Sequence, residues 1–200
     1  MKKLLLILMM LFSLTACGTQ SVQEPETEPA TAPATEAATV PTAPETEPPT
    51  EEAQEEKTYA PDFAMVDAEG NEVHLSDFVG KPVILNFWAS WCGPCKAEMP
   101  DFEEAYNEYG DEINFVIVNL TDGSRETLET AASFLAGAGY TFPVYFDTAG
   151  NGAMSYGVNS IPRTYFIDAE GVLVAYAAGM IDTSLIAQGI GMILESDLSN

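Results

Sequence analysis

Residues 80–100 read GKPVILNFWASWCGPCKAEMP, and the fold follows from how that stretch divides. Val83-Ile84-Leu85-Asn86-Phe87-Trp88 is a dense apolar run behind Gly80-Lys81-Pro82, the pattern of a central strand buried on both faces. It runs straight into Cys92 and Cys95, two cysteines separated by two residues. Beyond Cys95 a helix is expected through Tyr109, kinked at Pro100 because proline lacks the N–H and crowds the preceding turn, and ended by Gly110. A strand feeding a helix start places the first cysteine at an exposed turn and the second inside the helix. There they can close a disulfide across one turn.

Outward from this core, Phe63–Asp67 and Val73–Leu75, separated by Ala68-Glu69-Gly70-Asn71, predict a β-hairpin flanking the main sheet. Ile113–Leu120 is a second strong strand. Glu126–Leu135 is expected as a helix introduced by Thr121-Asp122-Gly123-Ser124 and closed by Gly137 and Gly139. Strand, helix, strand in this order predicts a parallel crossover. Phe142–Phe146 is expected as an edge or short strand and Ala153–Tyr156 as a brief helix. Thr164–Ile167 and Val172–Tyr176 form an antiparallel hairpin around Asp168-Ala169-Glu170-Gly171. A last helix, Ser184–Glu195, carries Leu185, Ile186, Ile190 and Ile193 toward the sheet. The class is mixed α/β, with helices flanking a mixed sheet and the early hairpin as an N-terminal extension.

The rest of the chain has a different composition. Residues 1–16 hold two lysines, an apolar run from Leu4 to Leu14 and a small residue, Ala16, before Cys17. That run is shorter than the roughly 20 residues of a membrane span and fits a removed secretory signal. Residues 17–57 are rich in Glu, Pro, Thr and Ala, with Pro-Glu-Thr-Glu-Pro at 25–29 and again at 44–48. Such a segment cannot bury enough apolar surface to order itself and is expected to be an extended tether, at most on the order of 100 Å long. Residues 58–200 are then one globular domain. The whole chain carries 7 Lys and Arg against 31 Asp and Glu, a net charge of −24, which argues against nucleic acid as a partner. Three cysteines leave Cys17 over if Cys92 and Cys95 pair.

Chemistry concentrates at the cysteine pair. A helix N-terminus supplies unsatisfied N–H groups and partial positive charge, which favour thiolate over thiol, so Cys92 is the expected nucleophile and Cys95 the resolving thiol. A zinc site needs about four ligands, and neither a second cysteine pair nor a histidine cluster accompanies this one; His74 is the only histidine. No metal and no cofactor are expected. Trp88 reads as core and Trp91 as the better surface contact. Lys96 is left outside the catalytic set.

These residues resemble a known family. Gly80–Pro100 is similar to the corresponding segment of the TlpA/ResA-type branch of the thioredoxin superfamily, related to the AhpC/TSA and Redoxin groups. Ala60-Pro61-Asp62-Phe63 and Leu75-Ser76-Asp77-Phe78 look like its opening, and Ile161-Pro162-Arg163-Thr164-Tyr165-Phe166-Ile167-Asp168 like its cis-proline segment. The resemblance extends from Ala60 to the C-terminus. It implies a thioredoxin fold, a cis Pro162 beside Cys92 and Cys95, and an Ile161 backbone that hydrogen-bonds substrate, with Trp91, Gly93 and Pro94 completing the contact surface. It also implies that Glu98 transfers protons or tunes the thiols. Asn86 stands where thioredoxins themselves carry a buried aspartate, and an amide cannot exchange a proton at useful pH.

Leu14-Thr15-Ala16-Cys17 similarly resembles the bacterial lipobox, implying lipidation of Cys17 and attachment at the extracytoplasmic face of the cell membrane; the protein is expected to be a monomer. The expected activity is reduction of oxidised proteins, for example in cytochrome c maturation or methionine sulfoxide reductase recycling. Electrons would come from a membrane donor of the CcdA/DsbD type. The alternatives are a peroxiredoxin-like peroxide reductase, whose Pro-x-x-x-Thr-x-x-Cys pattern is absent, and a non-catalytic binding lipoprotein, which the intact cysteine pair argues against.

Overall fold

The computed structural model describes residues 57–198. The expected signal peptide, Cys17 and nearly all of the expected tether lie outside the described residues.

The apolar run at 83–88 forms strand β3 (Val83–Trp88), every residue of which is buried. Alternation across the strand serves two cores. Ile84 and Trp88 join one cluster, while Val83, Leu85 and Phe87 join another on the opposite face. Around β3 lie β1 (Ala64–Val66), β2 (Glu72–His74), β4 (Asn114–Asn119), β5 (Val144–Phe146), β6 (Arg163–Ile167) and β7 (Leu173–Ala178), in the sheet order β2-β1-β5-β4-β3-β6-β7. β3, β4 and β5 run parallel, β6 adds antiparallel to β3, and β7 antiparallel to β6. The parallel crossovers pass through α1 (Gly93–Tyr109) and α2 (Leu128–Ala138), as the strand, helix, strand order predicts.

The early hairpin extends the sheet instead of merely flanking it. Asp67 shapes its turn by accepting hydrogen bonds from the backbone N–H groups of Glu69 and Asn71 at 3.0 and 2.8 Å, and β1 then pairs with β5 through Val66 and Phe146. β5 is consequently a short interior strand, not an edge, because the hairpin supplies a neighbour that is remote in sequence.

Two helices differ from expectation at their ends. α1 begins at Gly93 with Cys92 as its N-cap and continues unbroken through Pro100; the proline leaves the Lys96 carbonyl without its usual partner, a loss that an exposed helix face tolerates. α2 starts at Leu128 and not at Glu126. Thr127 caps it, accepting from the Thr130 N–H at 3.1 Å, while the Thr130 hydroxyl accepts from the Thr127 N–H at 2.8 Å. Gly137 lies inside α2, and Gly139, left-handed at φ 76°, ends it.

A short helix, α3 (Asn151–Ser155), precedes β6, and α4 (Thr183–Leu198) closes the domain. Ile186, Ile190 and Ile193 are buried as expected, but Leu185 is 48% exposed. The three isoleucines follow i, i+4, i+7 spacing on one stripe, and Leu185 falls about 100° to its side. α1 and α4 contribute Met99, Phe102, Ile186, Ile190 and Ile193 to the core that contains both cysteines. The hairpin contributes Met65 to the opposite core, with Phe63 just before it and Leu75 just after.

Candidate active site

The end of β3 and the start of α1 set the cysteines. Cys92 occupies the N-cap with extended backbone (φ −81°, ψ 108°), which turns its sulfur back over the first turn of the helix. The Cys95 N–H donates to Cys92 Sγ at 3.2 Å. A disulfide joins Cys92 and Cys95, whose Cα atoms are 5.3 Å apart. Pro94 sits in the first turn, where a missing N–H costs nothing. When the bond is reduced, the same N–H and the helix terminus face the Cys92 sulfur and favour its thiolate.

Exposure separates the two sulfurs only slightly: Cys92 is 4% and Cys95 0% accessible. Around them the lip is open, with Trp91, Gly93 and Pro94 all exposed. Ile161 and Pro162 close the other side. Their peptide bond is cis, and the Ile161 carbonyl oxygen lies 3.8 Å from Cys92 Sγ. Loop 161–162 therefore presents backbone beside the reacting sulfur, where an extended substrate segment could pair with it. Trp88, by contrast, is wholly buried.

Glu98 is one turn beyond Cys95 on the buried face of α1 and is only 1% exposed. Its Oε1 accepts from the Asn86 amide at 3.0 Å, and its Oε2 from the Ile181 backbone N–H at 3.0 Å. Asn86 donates at 3.0 Å to Thr164 Oγ1 as well, so β3, β6, α1 and the segment before α4 meet at one carboxyl group. Burial pushes the Glu98 pKa up to about 7; the Ile181 and Asn86 donors oppose this rise and the charge of Asp101 adds to it. A carboxyl group that titrates near neutrality beside a buried thiol can hold or release a proton there, which Asn86 cannot.

Sequence reasoning missed a second carboxylate buried near the cysteine turn. Glu126, fully buried, accepts from the Ser90 N–H at 2.8 Å and the Asn119 amide at 2.7 Å through Oε1, and from the Ser90 hydroxyl at 2.7 Å through Oε2. Arg125, beside it, places its guanidinium 3.5 Å from the Trp91 ring centroid. The only signal in the sequence was a glutamate at the edge of a helical pattern, indistinguishable from a solvated first-turn acid. Lys96 is exposed, its ammonium 5.9 Å from the centre of the Phe134 ring.

A cysteine pair capping a helix, backed by a cis-proline loop on this mixed sheet, defines a thiol–disulfide oxidoreductase of the thioredoxin-fold class. The chain belongs to the AhpC/TSA family, whose match spans residues 57–176, and within it to the TlpA/ResA type. It is 41% identical over 118 residues to the thioredoxin-like protein YneN of Bacillus subtilis (strain 168), covering 59% of this chain and 68% of that one. It is 33% identical over 145 residues to the thiol-disulfide oxidoreductase ResA of the same organism, covering 72% of this chain and 79% of the relative. Among solved structures, the exposed lipoprotein thioredoxin Etrx1 of Streptococcus pneumoniae strain TIGR4 is similar with a TM-score of 0.59 and 35% identity, over 66% of this chain and 98% of that one.

Proposed function

We propose that this oxidoreductase works outside the cytoplasmic membrane as a monomeric, lipid-anchored reductase of protein disulfides. The observation that carries the reading is the setting of Cys92: a helix-capping sulfur beside an exposed Trp91 and the backbone of Ile161, with the buried Cys95 behind it. In the forward cycle the Cys92 thiolate attacks one sulfur of a substrate disulfide. This forms a mixed disulfide and expels the other substrate sulfur as a thiolate, which takes up a proton. Cys95, losing its proton, then attacks Cys92 Sγ, which releases the second substrate thiol and leaves the Cys92–Cys95 disulfide. Two electrons have passed to the substrate. Glu98 is the group proposed to accept the Cys95 proton, and Gly93, Pro94, Trp91, Ile161 and Pro162 the surface that seats the substrate.

Regeneration needs a dithiol donor, for which a membrane protein of the CcdA/DsbD type fits a domain tethered at the outer face. The leader at 1–16, lipidation at Cys17 and the Glu/Pro/Thr-rich tether at 17–57 supply that location in this proposal. Apocytochromes and oxidised methionine sulfoxide reductases are the proposed substrate classes.

Cys95→Ser tests the reading. Without its resolving thiol, the protein should accumulate mixed disulfides to Cys92, and non-reducing electrophoresis of the membrane fraction followed by mass spectrometry should identify exported cysteine proteins. Recovery of no covalent partner, together with rapid peroxide consumption by the wild type, would instead favour peroxide reduction.

A further inference from the structure

Two consecutive side chains on the loop between β4 and α2 grip the two residues that precede the nucleophile. Glu126 takes the backbone N–H and the hydroxyl of Ser90, and Arg125 lies over the indole of Trp91. We propose that Arg125 and Glu126 are positioning residues that hold the Ser90–Trp91–Cys92 turn, so that Cys92 caps α1 and Trp91 keeps its place on the substrate lip.

The loop is built for this. Asp122 Oδ1 accepts from the N–H groups of Ser124 and Glu126 at 2.7 and 3.0 Å, and the Gly123 N–H donates to the Glu126 carbonyl at 2.9 Å. These bonds turn the Glu126 side chain inward to a place where the parallel strands end. Asn119, the last residue of β4, pairs with Trp88, the last of β3, and its amide is the third donor to Glu126. The Thr121 hydroxyl fixes that amide by donating to its Oδ1 at 2.8 Å. The carboxylate thus ties the end of β4 to the residue two before Cys92, and a buried acceptor with three donors is hard to replace without leaving those donors unsatisfied.

Arg125 acts on the outer side. A guanidinium on an indole face restrains the ring at an exposed site, and it places positive charge at the lip in a chain of net charge −24. Neither residue reaches the reacting sulfurs. Both act through Ser90 and Trp91, and their effect concerns Cys92 itself whichever disulfides are reduced.

The test compares Glu126→Ala with Glu126→Gln in the reduced full chain. Both remove the carboxyl group. Glutamine can still accept from Ser90 N–H and Asn119 through its oxygen and donate to the Ser90 hydroxyl, whereas alanine abandons all three. Iodoacetamide alkylation of Cys92, followed against pH by mass spectrometry of its peptide, should give a higher apparent thiol pKa for alanine than for glutamine. The catalytic efficiency on insulin should fall at least about tenfold in the alanine variant relative to glutamine, within the ~100-fold that a misplacement near 1 Å can cost. Coincident alkylation profiles for the two variants would overturn the assignment. That readout needs no protein substrate, so it is independent of whether the protein is a disulfide reductase.

Should the alanine variant not fold, Ser90→Ala deletes only the hydroxyl bond and should move the profile in the same direction by less; an unmoved profile would overturn the proposal equally. For Arg125→Ala, acrylamide quenching of the tryptophan fluorescence should increase through Trp91, since burial shields Trp88 from the quencher, and KM for insulin should rise about two- to fivefold with little change in kcat. Unchanged quenching and KM would remove Arg125 from the clamp.

Discussion

Cys92, the proposed nucleophile, and Glu98, the proposed proton acceptor, each make a prediction of their own. Cys92→Ser removes the attacking sulfur and should abolish disulfide exchange. Glu98 is a carboxyl group whose folded pKa, about 7, lies above the ordinary value of 4.5, so the native state keeps a proton that the unfolded chain has lost. Its contribution to stability is therefore fully present below about pH 4.5, declines as pH rises through 7 and is absent above. The difference is about 3 kcal/mol at full ionisation. Urea unfolding at pH 5 and pH 8 should show that decline in wild type, and Glu98→Gln should show much less of it. The same variant should lose the inflection near pH 7 in the rate of disulfide exchange. The cysteine pair was legible because spacing and context together leave few other meanings. Glu98 was legible only through family resemblance, since a glutamate on a helix is usually solvated, and its burial depends on Asn86, Thr164 and Ile181 from three other segments. Glu126 was not legible at all: its partners Ser90 and Asn119 are set by the tertiary fold.

At the scale of elements, the dense run 83–88 and the periodicities around it specify the parallel core and its crossovers. Local pattern does not specify which strand becomes the neighbour of another, and β5 shows why: its interior position depends on a hairpin some 80 residues earlier in the chain. Periodicity does not mark a helix start where capping competes with a tertiary bond, as at Thr127 beside Glu126. Thr127→Ala should cost about 1 kcal/mol through loss of the cap. α4 offers a sharper pair. A Cβ on Gly189 would collide with the Phe166 ring, whereas one on Gly191 meets nothing within 4 Å. Gly189→Ala should destabilise the domain, since overpacking by about 1–3 kcal/mol outweighs a helix-propensity gain near 1 kcal/mol. Gly191→Ala should realise that gain unopposed and raise stability by up to about 1 kcal/mol. Thermal unfolding of both variants checks the direction at each site.

At the scale of the whole molecule, the proposal joins two compositions in one chain, a redox domain and a tether. The proposed anchor predicts that Cys17→Ser moves the protein from the membrane fraction to the soluble extracytoplasmic fraction without changing its redox chemistry, because every residue of the site lies between Asn86 and Ile181. Fractionation with activity measured in each fraction checks this. The central claim, that Cys92 and Cys95 together pass two electrons to a protein disulfide, is tested by mixing the pre-reduced full chain with excess insulin in the absence of any other reductant. The account predicts that each molecule reduces one insulin disulfide and ends with Cys92 and Cys95 joined, while Cys92→Ser reduces none. Equal behaviour of wild type and Cys92→Ser, with no new Cys92–Cys95 bond in the wild type, would contradict it.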